Sequence, residues 1–379
     1  MTRRFLPGAT VGVMGGGQLG RMFAIAARTM GYRVHIFSPE ANGPAAQMAD
    51  YSTVAEYADE NAVRTFASQI DVLTFEFENI PAATAEWCAE QVPVRPSGFV
   101  LHTAQDRLRE KDFLSAAGIP VAPYRAVRDL ASLAVGLGEL GTPAILKSAA
   151  FGYDGKGQQR ITGEMRPESI WQDRPGDEMI LERAIEFELE LSVIIGRTAD
   201  GQMATFPVAE NVHRNHILDL TVAPARIDRS SAANAEQVAR GIAEHLELVG
   251  LLAVEMFLRP GGELLVNEIA PRPHNSGHWT IEGCATSQFE QQLRAVCGLR
   301  LGSTELLRPA AMANLLGDLW IGGEPNWIAA FERSPAHLHL YGKTVARDGR
   351  KMGHLTVLAA DAEQAIDQVT RARAALVRR

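Results

Sequence analysis

Cysteine is nearly absent from this chain. Three residues in 379, Cys88, Cys284 and Cys297, lie far apart and match no zinc or redox spacing. That excludes a disulfide framework and a clustered thiolate metal site, and it favours buried free thiols in a reducing cytoplasm. Long apolar runs are missing too: none approaches the roughly 18 residues needed to span a bilayer. The basic residues near Met1 are followed by no apolar segment with a cleavage site, so no signal peptide is read. Positive charge is in deficit. Lys and Arg number 37 against 45 Asp and Glu, a formal net charge of −8, which gives no global attraction to nucleic acid or an anionic membrane. An acidic protein that handles phosphates must gather its cations locally. Neither an internal repeat nor a low-complexity tract is present.

What is there suits a folded chain of two or three domains, with 46% hydrophobic and 22% charged residues. Residues 9–14, 33–37 and 72–75 read as strands, alternating with helical patterns at 18–30, 60–69 and 82–90. That alternation predicts a doubly wound parallel sheet over residues 1–105. Pro96-Ser97-Gly98 punctuates the chain, and a charged amphipathic helix at 106–116 marks a junction. Residues 106–305 then mix strands (143–148, 179–182, 188–195, 203–207, 252–259, 263–269) with a helix at 232–248, an α+β pattern. A smaller, strand-rich unit is expected over 306–379. Its strands are 311–316, 337–341 and 354–357, with a final helix from Ala362.

Gly15-x-Gly17-x-x-Gly20 follows a strand and opens a helix. Its glycines allow close backbone approach, and the helix start offers N–H groups to an anion. Glu40 lies about 20 residues on, as a dinucleotide site requires. Three readings stay open: a dinucleotide, another phosphate ligand, or a structural turn.

Residues 252–271 say more. Pro260-Gly261-Gly262 is a turn between two strands. If the loop is symmetric about Gly261-Gly262, Glu255 faces Glu268. Opposed like charges among apolar neighbours are unfavourable and call for a cation, and Mg²⁺ suits carboxylates that must leave room for substrate phosphates. An asymmetric loop would instead turn one glutamate to solvent.

Lys147 ends an apolar strand and is either a snorkelling charge or a phosphate binder. The loop that follows, Phe151-Gly152-Tyr153-Asp154-Gly155-Lys156-Gly157, can fold its N–H groups over a triphosphate. It is not a P-loop, because no Gly-Lys-Ser/Thr opens a helix.

Lys147-Ser148, the loop through Gln158, Glu188-Leu189-Glu190-Leu191-Ser192 and Val254-Glu255-Met256-Phe257 together resemble the ATP-grasp superfamily. The run from Asn267 to His278 (NEIAPRPHNSGH) is sharper. With Gly15 to Met22, Thr74 to Asn79, Tyr341-Gly342-Lys343 and Gly349-Arg350-Lys351, it resembles the 5-(carboxyamino)imidazole ribonucleotide synthase family, over essentially the whole chain. The resemblance implies an ATP-grasp ligase, a cytoplasmic homodimer, with ATP, Mg²⁺ and bicarbonate. It implies that Arg107 and Lys147 hold ATP phosphates under a lid of Gly152, Tyr153, Asp154, Gly155, Lys156, Gly157 and Gln158. Glu182, Arg183, Ala184 and Ile185 form the adenine-reading linker, Glu190 takes the ribose hydroxyls, and His213 and Asn267 lie near the nucleotide. Glu255 and Glu268 bind Mg²⁺. Arg272 and His274 hold bicarbonate or carboxyphosphate. Gly17, Gln18, Leu19, Glu76, Tyr153, Asn275, Lys343 and Arg350 cradle the ribonucleotide, and Asp154 or a phosphate oxygen takes the amine proton. Many ATP-grasp proteins carry asparagine where this chain has Ala270, so the resemblance implies no third side-chain metal ligand at that position, with water or Asn267 as a substitute. His274 and His278 are spaced like a helical zinc pair, but a proline precedes the first and no third ligand is evident. Rival readings are a formate-using or biotin-dependent relative, an NAD-dependent oxidoreductase resting on the glycine turn, and a non-catalytic nucleotide sensor.

Overall fold

A computed structural model of the chain describes residues 3–150, 157–163 and 165–377. Strands β1 (Thr10–Met14), β2 (Arg33–Ser38), β3 (Tyr51–Val54) and β4 (Val72–Phe75) form a parallel sheet in the order β3-β2-β1-β4. β1 is buried along its whole length because helices cover both faces. On one face Val11, Val13 and Met22 meet Phe289 and Leu293 of the Gln288–Val296 helix; on the other Met14 and Phe37 meet Phe66 and Cys88.

Strands β5 (Tyr124–Val127), β6 (Ala144–Ser148), β7 (Gln158–Ile161) and β8 (Met179–Arg183) make a small antiparallel sheet in the order β5-β8-β6-β7. One face packs Leu146 and Leu181 against Leu133 and Ile170 of the helices behind it. The opposite face carries Lys147, one residue on from Leu146.

A nine-stranded antiparallel sheet forms the body. Its strands are β9 (Leu189–Arg197), β10 (Met203–Thr205), β11 (Ala209–Arg214), β12 (Ile217–Ala223), β13 (Gly250–Leu258), β14 (Leu264–Ala270), β15 (Ala310–Leu316), β16 (His337–Leu340) and β17 (Lys351–Leu358). The order is β14-β13-β9-β11-β12-β15-β17-β16, with β10 paired to β9. The C-terminal strands thus extend the sheet of the central region. Leu191, Val193, Val254 and Met256 bury one face under Ala239 and Ile242 of the Arg229–His245 helix. Alternation sends Glu190, Ser192 and Glu255 to the other face.

Strands β3, β5, β7, β11 and β12 were not expected from the sequence. β3 and β7 are short and polar. β11 and β12 turn through Asn215 and His216, both with positive φ (50° and 65°), a turn that lacks the usual glycine signal. The helix expected from residue 232 starts at Arg229, because the Asp228 carboxylate caps it by accepting from the Ser230 and Ser231 N–H groups.

Candidate active site

Glu255 on β13 does face Glu268 on β14, but not through a symmetric turn. Leu258 pairs Leu264 and Met256 pairs Val266, one residue out of the symmetric register. A bulge at Asn267 then restores it, so that Glu255 meets Glu268 and Val254 meets Ile269. The apolar contacts show the same step: Leu264, Val266 and Ile269 all pack on the helix-side core, two residues apart and then three. Without the extra residue Glu268 would point into that core. Burial, then repulsion from Glu268, pushes the Glu255 carboxyl above the usual carboxylate range; His213 and Lys351 pull the other way. A paired, desolvated dicarboxylate fits a divalent cation. Among the described residues no cluster of three or more His, Cys, Asp or Glu side chains is placed to hold a metal. Two protein ligands suit Mg²⁺, which keeps water and phosphate oxygens in its other positions.

On the small sheet Lys147 forms an ion pair with Glu182 of β8. The second Glu182 oxygen takes Lys111 at 3.3 Å. Burial raises the Glu182 carboxyl, but Lys147 and then Lys111 outweigh it and bring it to about 2. Of the expected lid, residues 152–156 lie outside the described residues. Gly157 accepts from the Ser148 N–H, and Gln158 pairs Lys147 across β6 and β7. In the linker, the Arg183 side chain turns away to the Leu140 carbonyl at 3.0 Å. The N–H groups of Arg183 and Ala184 are engaged by Pro123 and Pro143 carbonyls. Glu190 pairs with His213; burial lowers the imidazole pKa, but the bond to Glu190 and the charges of Glu255 and Glu190 together outweigh burial and leave it raised. Arg107 opens the Arg107–Ala116 helix, its N–H on the Ala149 carbonyl.

Arg272 grips Glu78 bidentately, Nε at 2.5 Å and Nη2 at 3.1 Å, and Nη1 donates to Pro273 O at 3.3 Å. Among the described residues, two of its five N–H groups remain for a ligand. His274 accepts the Ser276 N–H at Nδ1, which leaves the ring proton on Nε2, 3.6 Å from Glu255. Burial, then Arg272 and Lys351, holds this imidazole well below its ordinary pKa, so it is neutral. Asn275 is buried with both amide atoms unpartnered among the described residues.

The glycine turn holds an anion of its own. The Glu76 carboxylate, on the segment after β4, accepts from the Gly17 N–H and from the Gly20 N–H at 2.7 Å. A Cβ on Gly15 would sit 2.1 Å from Glu76 Cγ, and one on Gly17 would sit 2.7 Å from its Oε1. The glycines therefore admit a side chain of this protein where a dinucleotide-binding turn admits pyrophosphate. Gly15→Ala is expected to lower stability by about 2 kcal/mol or more, since φ is +118° and Glu76 must shift; urea unfolding checks it. Lys343 arrives from the C-terminal strands, its Nζ on Gln18 Oε1 at 2.5 Å and Lys351 O at 2.7 Å. Arg350 does not join it by any contact described; Nη1 donates to Val345 O of its own turn at 2.8 Å.

Residues 112–289 match the ATP-grasp domain family, 8–105 the ribonucleotide synthetase preATP-grasp domain, and 310–368 the phosphoribosylaminoimidazole carboxylase C-terminal domain. The N5-carboxyaminoimidazole ribonucleotide synthase of Bacillus subtilis (strain 168) is 44% identical over 369 residues, which covers 96% of this chain and 95% of that one. The chain belongs to the N5-carboxyaminoimidazole ribonucleotide synthase family. A crystal structure of an ADP complex of such a synthetase superposes with a TM-score of 0.94 at 43% identity, covering 98% of both chains. The bifunctional purine synthesis protein purC/E of Dictyostelium discoideum is 45% identical over 92% of this chain, which spans only 37% of that longer protein. This synthase is an ATP-dependent ligase that carboxylates 5-aminoimidazole ribonucleotide in purine biosynthesis. No helix among the described residues is long and apolar enough to cross a membrane.

For a synthase of this family, the sequence reading missed four charged residues at the site. Glu78 fixes Arg272. The Lys351 ammonium lies close enough to bias Glu255, His213 and His274. Glu110 and Lys111 are buried under β14. A signal for Lys111 was available: it sits three residues from both Leu108 and Leu114, on the apolar stripe of its helix.

Proposed function

We propose that bicarbonate is the carboxyl source and carboxyphosphate the activated intermediate. The observation that supports this is the Glu255–Glu268 pair set beside a neutral imidazole, His274, and a half-engaged guanidinium, Arg272. Mg²⁺ held by the two glutamates would supply positive charge to the phosphate oxygens. Arg107 and Lys147 hold the phosphates, with residues 152–158 as lid. The linker reads adenine through its carbonyls and the Ile185 N–H, since the neighbouring N–H groups are engaged. Glu190, freed from His213, takes the ribose hydroxyls. A bicarbonate oxygen attacks the γ-phosphorus, the bond to the bridging oxygen breaks, and ADP leaves. Arg272 and the His274 Nε2–H orient the carboxyphosphate. The amine of the ribonucleotide, cradled by Gln18, Leu19, Asn275 and Lys343, then attacks the carboxyl carbon. Phosphate leaves, and Asp154 or a phosphate oxygen accepts the amine proton. A division at 105 and 305 and a cytoplasmic homodimer complete the reading; the three thiols are free and buried, as a reducing compartment allows.

ADP release, measured with and without the ribonucleotide in buffer with or without bicarbonate, tests the carboxyl source. Release should require bicarbonate; release unchanged by its removal would overturn the proposal. Calorimetry should show binding of ATP with Mg²⁺ and none of NAD, because Glu76 occupies the turn a dinucleotide would need. Tight NAD binding would refute that.

A further inference from the structure

Lys111 is the least expected charge in the molecule. It is 1% exposed, and its ammonium meets three acceptors. It donates to the carbonyls of Val266 at 3.1 Å and Asn267 at 2.8 Å, and it pairs with Glu182 at 3.3 Å. An ammonium has three protons, so each is used. The two carbonyls flank the bulge that turns Glu268 toward Glu255, and Glu182 is the residue that holds Lys147. The neighbouring Glu110 adds a second hold on the same strand, its Oε2 accepting the Ile269 N–H at 3.3 Å. One side chain therefore ties the large sheet at β14 to the small sheet at β8, and through Glu182 to β6.

We propose that Lys111 is a positioning residue that couples the metal-binding carboxylates to the phosphate-binding lysine. It fixes the bulge register and, with the same ammonium, the Glu182 carboxylate that orients Lys147. The partners are drawn from both sheets, so losing the ammonium frees both sides at once. Lys111 touches no reacting atom.

The inference rests on Glu268 serving Mg²⁺ and Lys147 serving phosphate, and its test separates the two. Mg²⁺ titration of ADP binding, followed by calorimetry, needs no turnover. Lys111→Met should raise the Mg²⁺ concentration for half-maximal enhancement about 10- to 100-fold, as loss of residues that orient metal ligands does. It should also weaken ADP binding without metal. If Glu268→Gln leaves the Mg²⁺ response unchanged, the metal reading fails. If Glu268→Gln shifts it and folded Lys111→Met does not, the coupling alone fails. Hydrogen exchange in metal-free protein supplies a readout that does not depend on ligands. The Ile269 N–H should be protected in the wild type, and Lys111→Met should lose that protection while β9 and the Leu251–Val254 stretch keep theirs. Uniform loss across the sheet would return Lys111 to a merely structural role. So would an unprotected Ile269 in the wild type, a result obtainable even if the variant does not fold.

Discussion

Glu268→Gln is expected to abolish ATP-driven turnover and leave the fold intact. The substitution keeps shape while removing one of two charges that face each other on β13 and β14. Metal-free stability should hold or rise by about 1 kcal/mol or less, because the opposed carboxylates repel. The pH dependence sharpens the test. Folded Glu255 keeps its proton above the unfolded carboxyl value of about 4.3, chiefly through burial and secondly through Glu268. Folding therefore takes up a proton in that range, and metal-free stability falls as pH rises from there toward the folded value. Removing Glu268 removes the second cause, so the fall should flatten. Thermal unfolding of both proteins at several pH values measures this. Wild-type turnover by the variant, or collapse of its metal-free form, would refute the assignment.

Lys343→Ala should strike the ribonucleotide and spare the nucleotide. Lys343 reaches Gln18 at the start of the Gln18–Thr29 helix, 325 residues away in sequence. A lost charged hydrogen bond to a phosphate costs roughly 1.5–3 kcal/mol, about one to two decades in apparent affinity. The Michaelis constant for aminoimidazole ribonucleotide should rise by that factor and the one for ATP little, each at a saturating level of the other. Arg350→Ala should act in the same direction and less strongly, because its guanidinium is anchored in its own turn. Unchanged ribonucleotide kinetics in Lys343→Ala would leave this lysine only a structural tie between Gln18 and Lys351.

Elements with strong local patterns were legible. The β1 turn and helix, the final helix and the Gly261-Gly262 hairpin declare themselves through apolar period and turn residues. The opposition of Glu255 and Glu268 was anticipated for an incomplete reason. A symmetric turn gives the same pairing as an offset turn followed by one bulge, and nothing local distinguishes them. The charges inside the site were harder. Lys111 meets carbonyls 155 and 156 positions on, and Glu76 meets amides 59 and 56 positions back. Whether such a residue faces water or protein is decided by those distant partners and not by its neighbours. The acidic balance of the chain pointed to local cations without saying that most would arrive already paired.

Glu76 gives the N-terminal unit a competitor that never diffuses away. A carboxylate tethered beside the Gly17 and Gly20 amides acts at an effective concentration that no free dinucleotide matches, since linkage turns its binding into an intramolecular event. The turn keeps the geometry of a cofactor site, yet a visiting anion meets an occupant fixed by the fold. The expected refusal of NAD then needs no clash with its nicotinamide or its ribose. It is exclusion at the first phosphate, enforced by the chain on itself and independent of what the cell's cofactor pool contains.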